Sequence, residues 1–222
     1  EDAERFYEDL RFFHEWLGYP TDHLALFPSW GLLPYEASTP PSDLVAQRMH
    51  ALLRLSEGHP TLLIAPLQAV LQRVVPQEVF LETCFRLRVQ HNIEREELLA
   101  RLFRLGYQQA SVVEIPGEFS VRGGIVDIYS TAYDTPLRIE FLGDTVDAIR
   151  TFDPSTQKSL DKRREAWVLP AREAIRPAAG SDRAVPLPPQ AEWHAAGWYP
   201  TMDSLLSYFS QPPVLILDEA TS

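Results

Sequence analysis

The residues most suggestive of catalysis lie near the end of the chain, where Val214-Leu215-Ile216-Leu217 runs into Asp218-Glu219. A carboxylate closing a buried strand is one way nucleotide-hydrolysing sites hold Mg²⁺. Such sites also need a loop to cradle the phosphates, and no G-x-x-x-x-G-K-[ST] segment occurs among the 222 residues. Asp218 and Glu219 are therefore expected to be a strand terminus or a vestige. One cysteine, Cys84, and six scattered histidines offer no metal-ligand spacing, and no nucleophile–base–acid set can be assembled. The turn Arg122-Gly123-Gly124 has the look of an anion nest, but a single Gly-Gly pair is a weak signal. No catalytic residue, metal or cofactor is expected.

What remains is the chemistry of recognition. Twelve of the twenty basic residues fall between positions 84 and 170, and ten of those are arginines, in a chain whose net charge is −11. That overall charge argues against a surface built to coat nucleic acid. Arginine presents a planar fork of donors suited to carboxylates, so the middle of the chain is the place to look for a protein interface. Within it, Leu137-Arg138-Ile139-Glu140-Phe141-Leu142 alternates cleanly. As a strand it turns Leu137, Ile139 and Phe141 to a core and Arg138, Glu140 and Leu142 to the opposite face. On that reading, removing Arg138 would open no cavity.

The elements that must hold this strand follow from periodicity and turn chemistry. Phe6, Leu10, Phe13 and Leu17 predict a helix at the start; Leu24–Phe27 and Thr61–Ala65 predict short buried strands. Between those strands a helix capped by Ser42 is expected to run to about Leu55, and Pro66 to open another. Strands alternating with helices imply an α/β layer with parallel pairing. From Cys84 the pattern changes. Asn92 is a candidate cap for a helix carrying Leu98, Leu99, Leu102 and Leu105, with Gly106 as its left-handed end. Strands are then expected at Val112–Ile115, Phe119–Val121, Gly124–Tyr129, Leu137–Phe141 and Ala148–Phe152, an α+β arrangement. The Ala- and Pro-rich stretch from about Ala171 to Glu192 reads as a connection, before a helix at Met202–Tyr208 and a buried strand at Val214–Leu217.

Composition is that of a globular chain, 45% hydrophobic and 23% charged, with no apolar run of the ~18 residues a membrane span needs. No membrane contact is expected. A lone cysteine makes a reducing cytoplasm the expected compartment.

Several motifs occur in a specific order. Gly117-Glu118-Phe119-Ser120-Val121-Arg122-Gly123-Gly124-Ile125-Val126-Asp127-Ile128-Tyr129 resembles the GEF-x-x-RG-x-hhDhF signature of the UvrB-homology module. Leu137–Phe141 and Phe152-Asp153-Pro154-Ser155-Thr156-Gln157 extend the likeness. Upstream, Phe27-Pro28-Ser29-Trp30-Gly31-Leu32-Leu33-Pro34-Tyr35-Glu36 is similar to a motif of the transcription-repair coupling branch of that family rather than of UvrB itself, and Thr61–Arg73 fits its following strand and helix.

The resemblance implies a degenerate ATPase-like α/β domain, discontinuous in sequence as 1–83 and 171–222, with an inserted α+β domain at 84–170. The insert would bind UvrA without catalysis, through Arg122, Arg138, Glu140 and Leu142 at the positions matching the family's contacts. Ser120 stands where UvrB-type sequences tend to carry a second arginine, and Leu142 where some members carry an aromatic. The family's first strand would precede Glu1, and contacts to RNA polymerase and DNA would belong to regions absent here. The alternative reading is a fragment of the excision-repair helicase subunit UvrB, with a phosphate loop upstream of Glu1.

Overall fold

In a computed structural model, residues 2–32, 38–175, 187–188 and 190–218 are described. The chain runs through α1 (Asp2–Trp16), β1 (Leu24–Leu26), α2 (Ser42–Ser56), β2 (Leu62–Ile64), α3 (Leu67–Leu71), β3 (Arg73–Val74) and α4 (Gln77–Thr83). It continues through β4 (Phe85–Arg88), α5 (Arg95–Arg104), β5 (Gln108–Gln109), β6 (Glu118–Arg122), β7 (Ile125–Ile128), β8 (Leu137–Leu142) and β9 (Thr145–Phe152). It closes with β10 (Ser159–Arg163), β11 (Glu165–Val168), α6 (Ala191–His194) and β12 (Asp203–Ser204), with 3-10 turns at Ala195–Trp198 and Leu205–Tyr208.

β1 and β2 pair in parallel, Leu24 opposite Leu62 and Leu26 opposite Ile64, with α2 as the crossover that parallel pairing requires. α2 buries Val45, Met49 and Leu52 on one stripe against Phe27, Phe80 and Tyr208, so the first core forms from both ends of the chain. β3 pairs with β12 across that same region. Within this core sits a full ion pair. Arg48, on the buried stripe of α2, reaches Glu173 through Nε at 2.5 Å and Nη2 at 3.0 Å. Its Nη1 donates to the Pro28 carbonyl and to Gln72 Oε1, Trp30 donates to Glu173 Oε1 at 2.6 Å, and the guanidinium lies 4.0 Å over the Phe27 ring. Both partners of this pair are thus satisfied inside the core, as buried charge demands.

The second core lies under a six-stranded sheet of order β10-β9-β8-β7-β6-β5, antiparallel except at β5–β6. Leu98 and Leu102 of α5 pack with Phe119, Val126, Ile139 and Ile149 from its inner face. β4 and β11 pair antiparallel, Phe85 opposite Val168, and Tyr133 packs against both cores. Gly106 ends α5 at φ +85°, and an added Cβ would lie 2.4 Å from Arg172 Cγ, so only glycine fits there.

Several local expectations are corrected. Ser42 does not cap α2. Pro41 takes the N-cap position at φ −55°, ψ 139°, and Ser42 is the first helical residue, where no side-chain cap bond forms. Asn92 does not cap α5 either. Its Oδ1 accepts from Thr145 Oγ1 at 2.7 Å, and Glu94 holds the cap position. Residues 112–115 form no strand, because Glu118 Oε2 takes the N–H groups of Glu114 and Ile115 that a ladder would need. The helix expected at Met202–Tyr208 is instead β12 and a 3-10 turn; the Asp203 carboxylate is turned to the Gln77 N–H at 2.8 Å. Val214–Leu217 is neither a strand nor buried: all four side chains are exposed. An apolar run marks a segment able to be buried, but a strand needs an edge to join, and this run pairs with none among the described residues. α1 forms as predicted, yet buries none of its residues. Leu33–Glu36, most of the Ala/Pro-rich connection and Glu219 lie outside the described residues.

Candidate protein-interaction site

The outer face of the six-stranded sheet is built from two hairpins. The β6–β7 turn passes through Gly123 at φ +60°, and the β8–β9 turn through Gly143 at φ +62°. Arg95, at the start of α5, donates to the Gly123 carbonyl at 2.8 Å and pins the first turn. Gly124 lets β8 approach closely: its carbonyl accepts from Phe141 N at 2.7 Å, and a Cβ would meet the Phe141 carbonyl oxygen at 3.1 Å.

Register decides which side chains meet on this face. Ser120, Asp127, Arg138 and Arg150 lie opposite one another across β6, β7, β8 and β9, while Arg122, Ile125, Glu140 and Ala148 form the next row. Asp127 is at the centre, its side chain 0% exposed. Arg138 donates Nε to Asp127 Oδ1 at 2.8 Å and Nη2 to Oδ2 at 2.9 Å, the two-pronged geometry that suits a carboxylate. Arg122 adds Nη2 to Oδ2 at 2.6 Å. One buried carboxylate therefore holds two guanidinium groups, leaving a surplus positive charge on the outer face.

The two arginines differ in access. Arg138 is only 15% exposed: its guanidinium lies 4.6 Å over the Phe152 ring, and Nη1 reaches the Gln157 carbonyl at 3.2 Å and Ser159 Oγ at 3.4 Å. Its hydrogen bonds to Asp127 raise its pKa further above the neutral range. The Arg122 side chain is 49% exposed. Glu140 is half-buried and paired to Arg150 Nε at 2.9 Å, so its charge is already met within the sheet. Leu142, 75% exposed, stands at the end of β8 just beyond a register shift.

The structure thus brings Arg122, Arg138 and Glu140 onto one face with Leu142 at its edge, but Arg138 is an anchored residue rather than a free one. Asp127, Arg150 and Arg95 were not singled out from sequence. The signals available for Asp127 were a lone acid inside the apolar run Ile125-Val126-Asp127-Ile128 and its place at the fixed acid of the GEF-x-x-RG-x-hhDhF pattern. Ser120 is buried beside Asp127, and its Oγ finds no hydrogen-bond partner among the described residues. The described residues hold no cluster of His, Cys, Asp and Glu able to bind a metal. Asp218 follows the exposed 214–217 segment and is itself exposed. Among the described residues, no helix is long and apolar enough to cross a membrane.

Residues 85–173, which contain this whole face, match the family described as the UvrB interaction domain. That segment is therefore similar to a UvrB interaction domain. The chain is 38% identical over 181 residues to the transcription-repair-coupling factor of Myxococcus xanthus, covering 79% of this chain and 15% of that protein. The same factor of Bacillus subtilis is 36% identical over 150 residues, and that of Haemophilus influenzae 29% over 150, each covering 68% of this chain and 13% of the relative. The chain therefore spans about one-seventh of these relatives' length. These matches favour the coupling-factor reading of the UvrB interaction domain over the UvrB helicase reading.

Proposed function

We propose that this chain is the non-catalytic UvrB-like module of a transcription-repair coupling factor, and that its UvrB interaction domain docks UvrA, recruiting it to stalled RNA polymerase. The observation that carries the reading is the outer sheet face: a surplus guanidinium, a paired carboxylate and an exposed leucine on adjacent rows of a rigid sheet. Such a mixture suits a polar interface of moderate size. The contacts are Arg122, Arg138, Glu140 and Leu142, with Arg138 also anchoring Asp127.

The domain division at 1–83 with 171–222, and 84–170, is part of this proposal. It is supported by the pairing of β4 with β11, which brings the entry and exit of the middle segment side by side, and by β3–β12, which joins the flanking segments. The flanking unit is proposed to be a degenerate ATPase-like domain; its parallel β1–β2 pair with helical crossover is consistent with that ancestry. RNA polymerase and DNA contacts, and ATP-driven translocation in the cytoplasm, are assigned to the rest of a full-length coupling factor. Titration of this chain with purified UvrA tests the proposal. Saturable one-to-one binding is expected, and absence of binding at micromolar concentrations would overturn it.

A further inference from the structure

We propose that Asp127 is a positioning residue for docking: its buried carboxylate fixes Arg122 in the orientation that meets an acidic partner surface, with Arg138 as the other half of the clamp. The inference rests on the UvrA-docking reading above. An exposed arginine normally samples many rotamers and must surrender that freedom on binding, which weakens the complex. Arg122 has surrendered much of it already. Its Nη2 is held at 2.6 Å by an oxygen that is itself fixed by Arg138 at 2.9 Å. The carboxylate is gripped by both prongs of Arg138, at 2.8 and 2.9 Å, on a strand whose backbone is paired on both sides. The turn beyond Arg122 is pinned by Arg95 at the Gly123 carbonyl.

The charge balance gives the clamp its direction. Asp127 neutralises one guanidinium, and Arg138 is the one buried with it, stacked on Phe152. The uncompensated positive charge is thus presented on Arg122, which is half exposed and makes its one side-chain hydrogen bond among the described residues to Asp127. The other edge of its guanidinium is left for a partner carboxylate. Neighbouring Glu140 does not compete for it, being paired to Arg150.

The test is a cycle of UvrA-binding isotherms on the full chain as parent, Asp127→Asn, Arg122→Ala and the double variant, at a temperature where circular dichroism shows all four folded. Asp127→Asn is expected to weaken binding by about tenfold or more, and the double variant to bind within a few-fold of Arg122→Ala, since the carboxylate acts through the arginine. Asp127→Asn binding like the parent, or losses that simply multiply, would overturn the inference while leaving UvrA docking intact. A parent that does not bind UvrA would overturn the docking reading and this inference with it. A measurement on the parent alone guards against a variant that fails to fold. Arginine side-chain NMR should find the Arg122 guanidinium ordered like that of Arg138; an Arg122 as mobile as the exposed Arg5 would contradict the clamp.

Discussion

Two of the buried carboxylates among the described residues, Glu173 and Asp127, hold arginines in opposite ways. In the first core, Glu173 and Arg48 are both sealed from water, and every neighbour that satisfies them, from Trp30 to the Pro28 carbonyl, is internal. In the sheet, Asp127 is equally buried, but it holds two cations and one of them reaches solvent. The first cluster can only tie segments together: residues 28 and 30, α2 and Glu173. The second ends in a charge available to a partner. Burial of a charge thus says little about function until one asks which member of the pair is left outside.

The contrast can be broken most sharply at the sealed pair. Glu173→Ala strands Arg48 in the core and is expected to cost about 3–5 kcal/mol in urea unfolding, the usual penalty for orphaning a buried charge. Folded protein should still bind UvrA. Ile139→Ala, on the inner face of β8, should cost about 2–5 kcal/mol by opening a cavity, again without touching the outer face. Arg138→Ala falls between the two behaviours. It removes two of the three hydrogen bonds to Asp127, so about 1–3 kcal/mol of stability should be lost along with UvrA affinity. Arg122→Ala should weaken UvrA binding roughly ten- to hundredfold while moving stability by about 1 kcal/mol or less. The smallest effect is expected at the join between the two regions. Burial pushes the Cys84 thiol up to about 12. At pH 8 it is therefore almost wholly protonated, and iodoacetamide should modify it far more slowly than in urea-unfolded chain.

Much of the sheet could be read directly from residues. Alternation in Leu137–Leu142 placed β8 and its two faces, since strand period is a local property. Arg138 was likewise visible as a cation on a strand face, whereas Arg122 read as a turn residue and became a candidate only through the family resemblance; the structure extends β6 to include it. Their shared carboxylate was not visible, because Asp127 meets them only through cross-strand register, which a single strand does not encode. For the same reason Arg138 read as a free surface group. The caps expected at Ser42 and Asn92 failed because proline conformation at one site and a cross-strand partner at the other outcompeted a common local preference. Val214–Leu217 shows the remaining limit: apolar character is local, but burial depends on a partner edge.

Hydrogen–deuterium exchange of the chain with and without purified UvrA tests the central claim most directly, because it reads both regions in one experiment. Docking through the outer sheet face predicts added protection in the β6–β7 hairpin and β8, covering residues 118–142, with α2 and its Arg48 cluster unchanged. Protection appearing on α2 and residues 24–30, with the hairpins exchanging as in the free chain, would contradict it.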